Sequence, residues 1–190
     1  MEIMDNIQQG NDPKSVSLYP TAMRFGLIGG LCFVVYGLIL YMFFSNPAEA
    51  GMGAALYQHG LSTAIFVTIM VLAVKKHRDE DLGGYITFGR AFLTGFVTVL
   101  IARAIYALFG LLYATVVHPD FAKEMQDNLR TMYENQGMTE EQIEQALKFV
   151  EMFSNPMVGL GFVLVWAAIS GAIVAAIVAA VMQKDRPVSQ

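Results

Sequence analysis

The run FVTVLIARAIYALF, Phe96–Phe109, is uncharged at every position but one, Arg103. A helix needs roughly 20 apolar residues to cross a bilayer core of about 30 Å. The run lies inside one of four stretches that meet this length: Phe25–Phe44, Gly53–Val74, Ala91–Val117 and Val158–Met182. The composition agrees. Of 190 residues, 55% are apolar and 15% charged, where soluble domains carry about 25% charged residues. The fold expected is therefore an all-α membrane protein with four transmembrane helices, spanning residues 22–44, 53–75, 88–117 and 156–182 to within a turn. They form one domain, 21–183, between a polar tail at 1–20 and a short tail at 184–190.

Several classes fall away. A net charge of -4 gives no electrostatic footprint for a nucleic-acid partner. The single cysteine, Cys32, permits no disulfide within the chain. Arg24, the first apolar run and Ala48-Glu49-Ala50 imitate a cleavable signal. However, signal cores usually have about 7–15 residues, and this run is longer and follows a polar, acid-containing segment. An uncleaved first span is expected.

Punctuation marks the remaining elements. Gly10-Asn11-Asp12-Pro13 is a turn signal in the N-terminal tail. Thr21 is placed to cap the first helix, and Ser45-Asn46-Pro47 to stop it. The second span runs into the charged burst Lys75-Lys76-His77-Arg78-Asp79-Glu80-Asp81, read as a solvated loop or as an anionic-lipid contact. Gly83-Gly84 then makes a hinge, and His118-Pro119-Asp120 closes the third span. Residues 120–154 are polar and acidic, with Phe121, Met125, Leu129 and Met132 on one helical face and Ile143, Leu147 and Val150 on another. Thr139 with Gln142 has the spacing of a capping box. Asn155-Pro156 is a cap followed by proline at the first helical position. A polar helical hairpin between the third and fourth spans is expected.

Lysine and arginine placement sets the orientation. Lys14, Arg24, Lys75, Lys76, Arg78, Arg90, Lys184 and Arg186 fall on one side. The other side has Lys123, Arg130 and Lys148 amid an acidic excess. Both termini are expected in the cytoplasm and the hairpin outside.

Arg103 then lies about 20 Å along its helix from Arg90. A charge at that depth costs between roughly 2.5 and 17 kcal/mol if it meets only lipid. The candidate intramembrane polar partners are His59, Ser62, Thr63, Tyr36, Tyr41 and Ser170, since no span contains a carboxylate. Arg103 is either a structural tie between helices or the centre of an anion or headgroup site; both readings stand. Small residues supply the expected helix-packing positions: Gly26 and Gly30 in the first span, Gly95 in the third, Gly171 and Ala175 in the fourth. His59, His77 and His118 are too dispersed for one metal site, and no serine or cysteine neighbours an evident base. No catalytic, cofactor or metal residue is assigned.

The element GGYITFGRAF, Gly83–Phe92, resembles a bacterial membrane family catalogued as a domain of unknown function, DUF4199, common in the Bacteroidota. The glycine-rich first span, His118-Pro119-Asp120-Phe121 and the segment GMTEEQIEQ before the last span fit it as well, so the likeness covers residues 20–183. The resemblance implies a four-helix integral membrane protein and supplies no reaction or ligand. The leading functional expectation is a non-enzymatic accessory or scaffold component of the inner membrane, in contact with the lipid bilayer and with a second copy or another membrane protein. The alternative is a small transporter, channel or lipid- or anion-binding protein using Arg103.

Overall fold

The computed structural model describes residues 16–43 and 47–185, and within them all side chains except those of 41–43, 47–55, 153, 154 and 156. The turn at Gly10–Pro13, Ser45-Asn46, the side chains of Tyr41 and Glu49, and Arg186 lie outside the described residues. Among the described residues, six α-helices follow in order: α1 (Tyr19–Phe43), α2 (Pro47–Lys76), α3 (Phe88–Leu112), α4 (Phe121–Asn135), α5 (Glu140–Ser154) and α6 (Pro156–Met182). A π-helical turn extends α2 over His77–Asp81, and another extends α3 over Tyr113–Val117. Among the described residues, four helices (α1, α2, α3 and α6) are long and apolar enough to cross a membrane.

The helix ends follow from local chemistry. In α5, the Thr139 N–H donates to Gln142 Oε1 at 2.9 Å and the Gln142 N–H to Thr139 Oγ1 at 3.4 Å, completing the capping box. At the start of α6, the Met157 N–H donates to Asn155 Oδ1 at 3.0 Å. Thr21 differs from expectation. Helix α1 begins two residues before it, and Thr21 is buried with its hydroxyl engaged elsewhere. The helix end is instead met by the Tyr19 N–H donating to Ser17 Oγ at 3.3 Å.

The chain divides into two compact units. The first comprises the described parts of 1–29, 65–102 and 168–190. Its core is built on α3, where Ala91, Thr94, Gly95, Thr98, Val99 and Ala102 are buried. Close approach is possible because glycines stand at the contacts. A Cβ on Gly26 would lie 2.7 Å from Ile101, and one on Gly95 would lie 2.8 Å from Met70. On α6, a Cβ at Gly171 would meet Val99 at 3.2 Å, and Ala167 (a residue of the second unit), Ala175 and Ala179 are buried along the same ridge. Ile86 and Lys184 pair through two backbone hydrogen bonds of 3.0 and 2.9 Å, tying the chain beyond α6 to the loop before α3. That loop turns at Gly83 and Gly84, whose φ values of 69° and 93° disfavour any residue with a side chain.

The second unit comprises 30–64 and 103–167. Here Gly30 faces Ile105, with 2.7 Å from a hypothetical Cβ to the isoleucine Cβ, and Gly37 faces Tyr106 at 3.0 Å. Helices α4 and α5 lie against each other. Ile143 of α5 is buried, and Arg130 of α4 is bonded to Glu134 and to Glu140 of α5.

Gly30→Val places methyl groups inside the Ile105 side chain. A loss of about 1–3 kcal/mol is expected, visible as a lower thermal midpoint in detergent. Gly161→Ala on α6, where a Cβ meets nothing within 4 Å, is expected to leave the midpoint unchanged or slightly raised. Equal midpoints for the two variants would refute the close-approach argument.

Candidate functional site

The charged burst after α2 is not a solvated loop. Its π-helical turn carries His77 into the first unit, where the imidazole is 0% exposed. Asp81, four residues on, receives three donors. The Thr21 hydroxyl reaches Oδ2 at 2.7 Å, His77 Nδ1 lies 2.8 Å from the same oxygen, and Lys76 Nζ reaches Oδ1 at 3.2 Å. On the other face of the ring, the Arg90 Nε–H donates to His77 Nε2 at 3.1 Å. A guanidinium only donates, so Nε2 must be the accepting nitrogen and Nδ1 must carry the proton given to Asp81. The neutral Nδ1–H tautomer follows from the partners alone. Thr21 from α1, Lys76 at the end of α2, the π turn and Arg90 from α3 thus converge on one carboxylate and one imidazole.

The cluster ties helices together. Arg78 extends it by donating from Nη1 to the Met182 carbonyl of α6 at 3.3 Å, while its Nε donates to Asp79 at 2.7 Å. The sequence reading missed the cluster because its members sit in a run rich in both signs of charge, where solvation is the default. The i,i+4 spacing of His77 and Asp81 was the available signal.

In the second unit, Arg103 is half-buried, with its guanidinium carbon 4.8 Å from the centroid of the Phe33 ring. Phe33 is buried and lies 6.0 Å from the Tyr106 ring. A cation over an aromatic face is favourable by about 0.5–2 kcal/mol, more when desolvated. The hydroxyl protons of Tyr36, Ser62 and Thr63 are directed to backbone. Tyr36 donates to the Gln58 carbonyl at 2.7 Å, joining α1 to α2. Ser62 and Thr63 donate to the His59 carbonyl at 3.0 and 2.8 Å. The His59 side chain is exposed, and Ser170 belongs to the first unit. His118 stacks on Tyr113, with 6.2 Å between ring centroids, and its Nε2 is 3.7 Å from Glu124.

The second unit also holds a half-open cavity of about 530 Å3. Its walls come from Gly37 and Leu38 of α1, Ala107 and Gly110 of α3, and Gly159 and Val163 of α6. The π turn and α4 complete it with Tyr113, Phe121 and Met125. This space was not expected from the sequence, which assigned no role to Gly37, Gly110 or Gly159. At Gly110 a Cβ would meet nothing within 4 Å.

A family model described as Protein of unknown function (DUF4199) matches residues 24–184. The chain belongs to that family. No curated protein matches it, and no solved structure does. The match takes in the GGYITFG element, whose Ile86 is buried and whose backbone pairs with Lys184. It also takes in four of the five residues around Asp81, with Thr21 lying before its start.

Two measurements test the cluster in this DUF4199 chain. Asp81→Ala leaves the His77 and Thr21 donors buried without their acceptor and is expected to cost about 1–3 kcal/mol. Asp79→Ala removes only an exposed pair with Arg78 and is expected to leave the unfolding midpoint nearly unchanged; equal losses in detergent unfolding would remove the structural role assigned here. In nitrogen-15 NMR, His77 Nδ1 is expected in the pyrrole-type range and Nε2 in the pyridine-type range. The reverse would contradict the Arg90 bond.

Proposed function

We propose that this chain is a multi-pass protein of a bacterial inner membrane, its four long helices forming a bundle with both termini cytoplasmic and residues 120–154 a helical hairpin outside. It works as a non-enzymatic accessory or scaffold component that associates with a second copy or with another membrane protein. The observation that carries this reading is the state of His77. The side chain best suited to acid–base chemistry has both ring nitrogens engaged, one by Asp81 and one by Arg90. It acts as a strut between helices, with no lone pair left for a substrate proton.

The orientation is supported by charge. The cationic residues near Asp81, together with Arg24 and Lys184, lie on the segments assigned to the cytoplasm, where positive charge is retained. The α4–α5 segment, rich in glutamate, lies on the other. Association is supported by the apolar side chains Val165, Ile169, Ile173, Ile177 and Val181 of α6, which are exposed while Ala175 and Ala179 of the same helix are buried. The competing reading, a transporter, channel or anion-binding protein built on Arg103, has less support, because that guanidinium rests on Phe33.

Mild extraction into nanodiscs followed by native mass spectrometry is expected to retain a second copy or a distinct membrane protein. A bare monomer would sink the accessory reading. For orientation, Gln145→Cys in a Cys32→Ser background is expected to react with an impermeant maleimide in spheroplasts, and Lys75→Cys only after lysis. The opposite pattern would invert the topology.

A further inference from the structure

We infer that the cavity of the second unit is a seat for one acyl chain of a membrane phospholipid. The inference rests on the membrane reading and goes beyond the accessory role.

The lining decides the chemistry of the occupant. Glycines and alanines of three membrane-length helices leave the space, and Leu38, Val163 and Met125 give it an apolar surface. Thr115, which also borders it, directs its hydroxyl proton to the Leu111 carbonyl at 2.8 Å. A buried water needs about two to four polar partners, and apolar cavities without them stay dry yet accept apolar guests. A half-open apolar cavity of this size offers dispersion contacts along its wall to an apolar chain lying in it. Its volume is within the range of roughly 300–1,000 Å3 typical of ligand sites. In the hydrocarbon that surrounds these helices, the abundant apolar guest is a lipid chain.

The π turn makes the seat. Tyr113, Ala114 and Thr115 all belong to it and all border the cavity. The wider winding turns Tyr113 against His118 and edge-on to Phe121, with centroids 6.0 Å apart in the second pair. Tyr113 and Phe121 both border the space. Such π segments occur often at functional sites. Arg103 is not required, so the site is distinct from the anion site considered for that residue.

The test uses the full chain in nanodiscs of phosphatidylethanolamine and phosphatidylglycerol, doped with a phospholipid carrying a diazirine at the end of one acyl chain. After irradiation, peptide mass spectrometry is expected to place adducts preferentially on residues 106–125 and 159–163. Gly110→Phe fills the space and is expected to reduce those adducts about tenfold, equivalent to about 1.4 kcal/mol of lost affinity. Gly161→Phe, on an exposed face of α6 with open space around it, should leave them unchanged. Ala114→Leu serves as a second filling variant, and thermal unfolding verifies that each protein is folded. Adducts spread evenly over the exposed apolar side chains of α6 would overturn the inference. So would undiminished cavity adducts in folded filling variants, or labelling by a free diazirine fatty acid alone. A native mass spectrum lacking any protein partner would not affect these readouts, so the two proposals fail separately.

Discussion

Helices in hydrocarbon gain little by hiding apolar surface from one another, because lipid tails are as apolar as leucine. This constraint governs the molecule. Contact between helices has to come from close backbone approach or from polar groups that find no partner in lipid. The first unit uses both. Gly26 and Gly95 bring α1 and α2 against α3, while Asp81 gathers a hydroxyl, an imidazole and an ammonium from three segments. Each of those donors would be costly if left unpaired in a low-dielectric setting. The cluster therefore specifies one arrangement of helix ends, which dispersion between smooth apolar surfaces does poorly.

Arg90 shows how the pieces depend on each other. Its Nε–H fixes the His77 tautomer, and that tautomer fixes the direction of the proton given to Asp81. Thr21 then meets the same carboxylate oxygen from α1. Removing the arginine would free the imidazole to adopt the other tautomer and withdraw its proton from Asp81. The burst KKHRDED is thus a run of charge in composition and a structural joint in geometry. The two descriptions are compatible, because Lys75, Asp79 and Glu80 remain exposed while His77 is enclosed.

What could be read from the sequence follows from the range of the forces involved. The four long helices were legible because length and apolarity are summed over some 20 residues. The caps at Thr139 and Asn155 were legible because a capping bond spans two or three residues. The Asp81 cluster was not, since it joins residues 60 positions apart through a π turn that propensity does not encode. The cavity was hidden for the opposite reason. Gly30 and Gly110 look alike in sequence, yet one is pressed against Ile105 and the other faces empty space. Only the path of α3 and its π turn separates a packing glycine from one that leaves room.

The fate of Arg103 follows from the same logic. A guanidinium in an apolar run needs either a carboxylate, which no span supplies, or a surface that tolerates charge without being charged. The face of Phe33 is such a surface, and the Tyr106 ring lies tilted beside it. An aromatic platform is a weak anchor for a ligand anion but a sufficient one for a helix contact, because it satisfies the cation while leaving no net opposite charge in the hydrocarbon. The proposed acyl-chain seat also borders Tyr106 and needs no charge at all.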